Sequence, residues 1–313
     1  MTRQMKGLDL AEDFYREHGA PMLSQLFSTY TDRIAAGFVG PGSECFGFDD
    51  EISRDHDWGP GFCMWLTTED YEEIGSALQD EYEKLPDTFM GFGPRIVSPG
   101  EEGREGVSTV TSFYKAYTGL DHPPKSIGEW LRIPEQSLAV CTNGKIFHDP
   151  LGQFTRWRNH LKGFYPEDIR LKKITSRCVT IAQSGQYNFE RSINRNELFS
   201  ARYSELKFCS DVISLLFLLN RCYTPFYKWM HRAVRELPLL GQQVHGLILK
   251  LLSEEEMGRK RETIEGICTL LINELQREKL TDSQSDFLLD HAHSVHDRIQ
   301  DKALGARFSV INE

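Results

Sequence analysis

The sequence lacks the features of membrane-spanning, secreted and disulfide-rich proteins. Its most apolar run, residues 213–219, is far shorter than the roughly 20 residues that cross a bilayer. The first residues contain no apolar stretch of the kind that secretory signals carry. No two of the 7 cysteines have a CxxC spacing, and their number is odd, which favours free thiols over a zinc site or a disulfide framework. We therefore expect a cytoplasmic protein without membrane contact.

An excess of basic residues is also absent. The chain has 46 acidic and 36 basic residues, which gives a formal net charge of -10 at pH 7. Extended nucleic acid is not an expected partner, because its phosphates are usually neutralised by a basic surface. The end of a tRNA needs only a local basic patch and stays possible on these grounds. Core material is plentiful, since 40% of the 313 residues are hydrophobic, enough for one large or two ordinary domains.

The hydrophobic pattern changes near residue 150. Short strand-like runs come before it, at 34–39, 55–58, 62–66, 107–110, 138–141 and 145–147. An Asn143-Gly144 pair separates the last two runs and predicts a β-hairpin. After residue 150, nearly every segment has the apolar spacing of a helix. These patterns predict an α+β fold, with a small mixed sheet and flanking helices in residues 1–150 and a helical bundle in residues 151–313.

The most informative segment combines a glycine turn with two aspartates. Gly42 and Ser43 follow a strand-like run, and Asp55 and Asp57 begin the next one. Residues i and i+2 of a strand point to the same face, so the two carboxylates are expected to project together. A divalent cation relieves their repulsion, and hard oxygen ligands suit Mg²⁺. Backbone N–H groups of the glycine turn and the Ser43 hydroxyl could then approach a phosphate, which predicts a site for phosphoryl or nucleotidyl transfer.

A glycine-serine turn followed by paired aspartates resembles the signature of the DNA polymerase β-type nucleotidyltransferase superfamily. The longer run from Gly42 to Pro60 resembles a bacterial family of unknown function within that superfamily. Further segments with this resemblance are Ile146-Phe147-His148-Asp149, Gln186-Tyr187-Asn188 and the Asn220-Arg221, Tyr223, Pro225 and Lys228-Trp229 pattern. The helical second half resembles the kanamycin and lincosamide nucleotidyltransferases in layout.

The resemblance implies a Mg²⁺- or Mn²⁺-dependent nucleotidyltransferase. Such an enzyme moves a nucleotidyl group from ATP or another NTP to a hydroxyl of an acceptor, here a small molecule, a tRNA end or a protein. Asp55 and Asp57 would be the catalytic metal ligands. Gly42 and Ser43 would hold phosphate.

The third carboxylate of the superfamily has no obvious counterpart in this sequence. It normally lies on a neighbouring strand, and the corresponding run here contains Ser108. Asp149, after the strand-like run 145–147, is our candidate for that catalytic role, with capping of the next helix as the structural alternative. A chain without a third carboxylate would instead be a non-catalytic sensor that binds NTP.

Three residues of the helical half are candidates for binding the nucleotide. Lys228 could contact the β- and γ-phosphates as a point charge. Tyr223 could stack on the base, and Arg191 could meet a phosphate. Each has an ordinary structural alternative, namely a surface lysine, a core aromatic ring and a salt-bridged helix face.

Overall fold

The computed structural model describes residues 5–55, 57–96, 104–306 and 308. Contacts divide the chain into two compact units, Met1–Gly163 and Phe164–Glu313. The predicted α+β class is confirmed, since the chain is 61% helical and has a small mixed four-stranded sheet. Within the described ranges, no helix has the length and apolarity needed to traverse a bilayer. A domain boundary at residue 150 stays a prediction.

Where the structure describes it, the first unit contains the sheet and seven α-helices. The strands are β1 (Ala35–Phe38), β2 (Cys63–Leu66), β3 (Gly106–Thr109) and β4 (Lys145–His148). The helices are α1 (Gly7–Phe14), α2 (Ala20–Leu26), α3 (Thr68–Tyr82), α4 (Val110–Thr118), α5 (Ile127–Arg132), α6 (Glu135–Thr142) and α7 (Gln153–Lys162).

The strand order is β3-β2-β1-β4. β1 runs antiparallel to β2 and β4, and β2 runs parallel to β3. In this register Gly37 pairs with Cys63, Cys63 pairs with Gly106, and Phe38 pairs with Lys145. The carboxyl end of β1 therefore lies beside the amino ends of the other three strands. The turn that leaves β1 and the loops that enter β2, β3 and β4 meet at this end of the sheet.

Both faces of β2 are buried, which explains why its sequence is a continuous apolar run instead of an alternating one. Met64 and Leu66 join a hydrophobic core with residues of α1, α2 and α3. Trp65 stacks on Phe154 of α7, with 4.0 Å between the ring centroids. Truncating a side chain as large and as buried as Trp65 typically costs about 3–5 kcal/mol, so β2 is firmly fixed between its two layers.

The predicted β-hairpin at Asn143-Gly144 is wrong. Residues 138–141 belong to helix α6, and a short apolar run of this length does not distinguish a strand from a buried helix. The Asn143 amide bonds the backbone of Gly40, donating to its carbonyl at 2.7 Å and accepting from its N–H at 3.3 Å. The Asn-Gly pair thus joins a helix to β4 and ties this connection to the segment that follows β1.

Substituting Gly144 by alanine is expected to destabilise the first unit by about 2–3 kcal/mol. Its φ is +64°, and a Cβ there would overlap the carbonyl oxygen of Phe38 and lie 2.9 Å from the Cα of Val39. Urea unfolding measures the loss. The control is Gly128→Ala in α5, where the nearest atom to a new Cβ is 4.0 Å away. Equal effects of the two substitutions would contradict this account.

Among the described residues of the second unit, all regular secondary structure is helical. Its helices are α8 (Glu167–Ile181), α9 (Glu190–Asn194), α10 (Leu198–Leu219), α11 (Tyr227–Val234), α12 (Gly241–Ser253), α13 (Met257–Arg277), α14 (Leu288–His296) and α15 (Lys302–Gly305). A π-helical segment, Ala182–Phe189, connects α8 to α9. The later turns of α10 are buried almost all round, as expected of a central helix.

Candidate functional site

The turn after β1 is built around a carboxylate. Glu44 is only 3% exposed, and its side chain folds back over Gly42. A Cβ on Gly42 would lie 2.5 Å from Glu44 Oε2, so a larger residue at this position would displace the Glu44 carboxylate. Ser43 Oγ lies 3.4 Å from the same oxygen. The turn that was predicted to hold phosphate therefore contains the buried carboxylate of Glu44.

The predicted strand at residues 55–58 is wrong. Ile52–Arg54 forms a 3₁₀-helix, and Asp55 continues it with φ -71° and ψ -27°. Asp57 has a φ of +50°, a left-handed conformation that aspartate tolerates better than most residues. Asp55 and Asp57 therefore do not share a strand face. Asp55 is exposed, whereas Asp57 is 6% exposed at the sheet end where the strand connections meet.

A buried arginine joins three connections at that end of the sheet. The Arg95 guanidinium donates to Glu44 Oε1 at 2.8 Å, to the carbonyl oxygen of Asp57 and to that of Gly59 at 3.1 Å. Its Nε lies 3.4 Å from Oε2 of Glu105, the residue before β3. Burial disfavours the charge, but the carboxylates of Glu44 and Glu105 outweigh it, so the pKa of Arg95 is raised. Arg95 thereby fixes the loops before β2 and β3 against the turn after β1.

Glu105 is an acidic residue of this site that the sequence analysis missed. Its Oε2 lies so close to Gly61 that a Cβ at Gly61 would overlap it. Burial raises the pKa of Glu105 above its ordinary value, although Arg95 and a hydrogen bond with Tyr82 act in the opposite direction. The third carboxylate was expected on the strand-like run that contains Ser108. Glu105 lies one residue before β3 instead, and it belongs to the site because β3 pairs with β2.

Asp57 has a guanidinium partner. Arg104 Nη1 lies 3.2 Å from Asp57 Oδ2, and the two side chains are 23% and 7% exposed. The cluster at this sheet end therefore contains three carboxylates, from Glu44, Asp57 and Glu105, and two guanidinium groups, from Arg95 and Arg104. Both basic residues were missed by the sequence analysis, because nothing in their local pattern distinguishes them from surface arginines.

A cavity of about 220 Å³ opens beside this cluster. It is lined by Val39, Cys63, Trp65, Arg104, Glu105, Gly106, Ser108, Ser112, Phe113, Ala116 and Tyr117. Cys63, Trp65 and Ser108 form part of one sheet face, and α4 covers that face. Ligand pockets are usually about 300–1,000 Å³, so this cavity would accommodate only part of a nucleotide. Its polar wall combines Arg104, Glu105 and hydroxyl groups.

Asp149 is not brought to this cluster. His148, at the end of β4, pairs with Ala36, near the start of β1, so Asp149 follows at the opposite end of the sheet from Gly42. Its Oδ2 accepts a hydrogen bond from the backbone N–H of Thr155 at 2.7 Å. This contact satisfies a free donor in the first turn of α7, which is the helix-capping alternative.

The three candidates of the second unit have separate surroundings. Tyr223 is 8% exposed and packs on Phe164 and Tyr165, with ring centroids 4.9 and 5.1 Å away. Its ring is thus part of the core and is not presented to a base. Lys228 is exposed on α11 with its ammonium 5.5 Å from the Trp229 ring centroid. Arg191 is exposed on α9, and its guanidinium lies over the Tyr187 ring at 4.7 Å.

The carboxylates of Asp55 and Asp57 are donors that a hard cation prefers, but their arrangement does not form a cation site. Asp55 and Asp57 offer the carboxylate oxygens that Mg²⁺ prefers. In the part of the chain that the structure describes, however, no group of three or more His, Cys, Asp or Glu side chains converges as a metal site. One oxygen of Asp57 faces Arg104 instead. In this arrangement Asp57 faces a guanidinium, and the described residues do not by themselves form a complete Mg²⁺ site.

Comparison with known proteins gives one partial match. Neither curated proteins nor solved structures yielded a match. A family model described as a domain of unknown function, DUF4037, matches residues 130–230, a segment that contains Asp149 but neither Asp57 nor Glu105.

Proposed function

We propose that the chain is a Mg²⁺-dependent nucleotidyltransferase, with its first unit related to the DNA polymerase β-type superfamily. It would move a nucleotidyl group from an NTP to a hydroxyl of an acceptor. The observation that carries this proposal is the meeting of Ser43, Asp57 and Glu105 at one end of a mixed sheet, beside a polar cavity. Ser43 and Asp57 belong to the connection between β1 and β2, whereas Glu105 lies far from them in the sequence, and the pairing of β2 with β3 accounts for its approach.

Each residue has a definite task in this proposal. Asp57, with Asp55, would hold Mg²⁺, which when bound supplies neutralisation of the triphosphate and of the leaving pyrophosphate. The Ser43 hydroxyl would donate to a phosphate oxygen. Glu105 would accept the proton of the acceptor hydroxyl while that oxygen bonds to the α-phosphorus and pyrophosphate leaves. A raised pKa suits a general base, because its conjugate acid then has a pKa nearer the working pH.

A second function is favoured by a separate observation. Asp57 is already neutralised by Arg104 at 3.2 Å, which would suit a protein that binds NTP without metal-assisted catalysis. Such a sensor would bind NTP and release no pyrophosphate. Measuring pyrophosphate with candidate hydroxyl acceptors therefore separates the two functions.

The first test of the proposal is calorimetric titration of the full chain with each Mg²⁺-NTP. We expect one or more NTPs to bind only with Mg²⁺, and the Asp55→Asn/Asp57→Asn variant to bind at least about tenfold more weakly, since the loss of charge-assisted metal contacts is commonly worth this much.

The matched control is Asp80→Asn/Asp87→Asn, which removes the same two charges from exposed positions of the first unit. It should bind as the unmodified chain does. Absence of NTP binding in the unmodified chain, or equal binding by the Asp55/Asp57 variant, would refute both functions proposed for this site.

A further inference from the structure

A second cavity lies entirely within the helical unit. Its volume is about 420 Å³, within the roughly 300–1,000 Å³ that is usual for small-molecule sites. Its lining residues come from the last turn of α8, the π-helical segment Ala182–Phe189, α9 and the first three turns of α10. π-helical turns are rare and are frequently found at functional sites. The second cavity therefore has the size and the setting of a ligand site.

The π-helical wall of this cavity is anchored by residues that do not line it. Gln186 Nε2 donates to the Asp286 carbonyl oxygen at 2.9 Å, and its Oε1 accepts from the Leu288 N–H at 2.9 Å. Gly185 lies so close to α10 that a Cβ there would be 2.3 Å from the Phe208 ring. The wall is thereby preformed, so a ligand would not have to order its backbone.

The lining consists mainly of groups that both donate and accept hydrogen bonds. Gln183 and Asn188 contribute exposed primary amides from the π-helical segment. Hydroxyl and amide groups complement the hydroxyl groups of a ligand, which also act in both directions. The hydroxyl-bearing residues of the lining are Thr180, Ser184, Ser192, Ser200, Tyr203 and Ser204.

The charge of the lining is balanced. Among the described residues around the second cavity, Lys207 is the charged one, and its ammonium lies 2.6 Å from both carboxylate oxygens of the buried Asp211. An anionic ligand would have to compete with Asp211 for this ammonium, and a cationic ligand would be placed beside a positive group. The lining therefore favours a neutral ligand.

Two exposed aromatic rings border the polar lining. Phe199 is 82% exposed and Tyr203 is 61% exposed. They lie four residues apart on one face of α10, with their ring planes only 16° from parallel. Exposed apolar groups that lie together commonly mark an interaction site. An aromatic face packs well on the C–H groups of a sugar ring, and the sugar hydroxyls then stay free to bond the polar lining.

We infer that the second cavity binds a neutral sugar. The sugar ring packs on Phe199 and Tyr203, and its hydroxyl groups bond the amides of Gln183 and Asn188 and the neighbouring hydroxyls. A nucleobase would also stack on the rings, but its edges offer fewer groups that match a lining rich in hydroxyls. Because the cavity lies wholly in the second unit, sugar binding does not depend on the proposed function.

Saturation-transfer difference NMR on the full chain is the test, because it detects weak sugar binding. The probes are the methyl glycosides of glucose, galactose, mannose and N-acetylglucosamine, together with maltose, lactose and adenosine. We expect at least one sugar to receive saturation at its ring C–H protons. Titration of that signal should show binding about tenfold weaker in Phe199→Ala, an effect usual for truncation of an aromatic anchor. Asn188→Ala, on the opposite wall, should also weaken binding.

The matched control is Tyr227→Ala, which removes an 86% exposed ring from α11. It should bind the sugar as the unmodified chain does, and circular dichroism should show the same helix content in all variants. Absence of sugar binding by the unmodified chain would overturn the inference. Equal binding by Phe199→Ala, Asn188→Ala and the control would show that the sugar binds elsewhere. Binding of adenosine alone, weakened by Phe199→Ala, would reject a sugar as the ligand and assign the cavity to a nucleoside.

Discussion

Replacing Glu105 by glutamine is expected to slow pyrophosphate release by about 10²–10⁴-fold, the range typical of a lost general base. The substitution keeps the size of the side chain and removes its ability to take a proton, together with its negative charge beside Arg95. Affinity for Mg²⁺-NTP should change by no more than a few-fold, because Glu105 acts on the acceptor hydroxyl. Pyrophosphate release and calorimetry, carried out on the same preparations, separate the two quantities.

The pH dependence of the reaction gives this prediction a second readout. Burial raises the pKa of Glu105, and a base works only in its deprotonated form. The rate of the unmodified chain should therefore fall as the pH drops through this raised pKa, which lies above the usual glutamate value of about 4.3. Glu105→Gln should lack that acid limb.

The matched control for the base is Glu83→Gln, at an exposed position just after α3. It should retain both the rate and its pH profile. If Glu105→Gln releases pyrophosphate as fast as this control does, Glu105 is not the base, and another group has to take the proton.

Local patterns in the sequence were sufficient for the parts of this site that depend on neighbouring residues. The apolar runs at 34–39, 62–66, 107–110 and 145–147 predicted the four strands of the sheet close to their observed bounds. The glycine turn at Gly42 was predicted from its position after β1. Its structural cause, the return of the Glu44 side chain over Gly42, could not be inferred, because it depends on where the turn directs that side chain.

The remaining parts depend on strand register, which local patterns do not contain. Glu105 joins the cluster because Cys63 pairs with Gly106, and Asp149 is excluded because His148 pairs with Ala36. Local sequence patterns do not show at which end of the sheet an acidic residue beside a strand lies. In the folded sheet the two ends are separate places. Asp149, the candidate that the sequence pattern favoured, lies at the end away from the cluster, whereas Glu105 lies in the cluster.

The error at residues 55–58 has a related cause. Residues 55–58 have the alternation of a strand and precede an apolar strand. In the fold, however, the carbonyl oxygens of Asp57 and Gly59 accept hydrogen bonds from Arg95. Those acceptors would be used by a neighbouring strand if β2 began earlier. The Arg95 side chain, from a loop that is distant in the sequence, satisfies backbone acceptors that strand pairing would otherwise satisfy. The spacing of residues 55–58 does not indicate this.

Arg95→Met is expected to lower the free energy of unfolding of the first unit by about 3–5 kcal/mol at neutral pH, the cost usually found when one member of a buried ion pair is removed. Methionine keeps an apolar side chain near the Phe38 ring, which the guanidinium now covers at 4.8 Å. The loss therefore reflects the charges of Glu44 and Glu105, left without their buried partner, together with two carbonyl oxygens that lose a donor.

Tryptophan fluorescence in urea is a suitable measurement, because Trp58, Trp65, Trp130 and Trp157 lie in the first unit and only Trp229 lies in the second. The control Arg132→Met removes an exposed guanidinium from the same unit and should cost less than about 1 kcal/mol.

The dependence of this loss on pH identifies its cause. Burial already raises the pKa of Glu105 in the folded chain, and without Arg95, which acts in the opposite direction, this pKa should rise further above its unfolded value. Groups shifted in this direction destabilise the fold at high pH, and the penalty disappears as the pH falls through the folded pKa values towards the unfolded ones. The deficit of Arg95→Met should therefore be smaller at pH 5 than at pH 8, and adding Glu44→Gln and Glu105→Gln should recover part of it. A deficit that is equal at both pH values would mean that lost packing or hydrogen bonds, and not uncompensated charge, make Arg95 necessary.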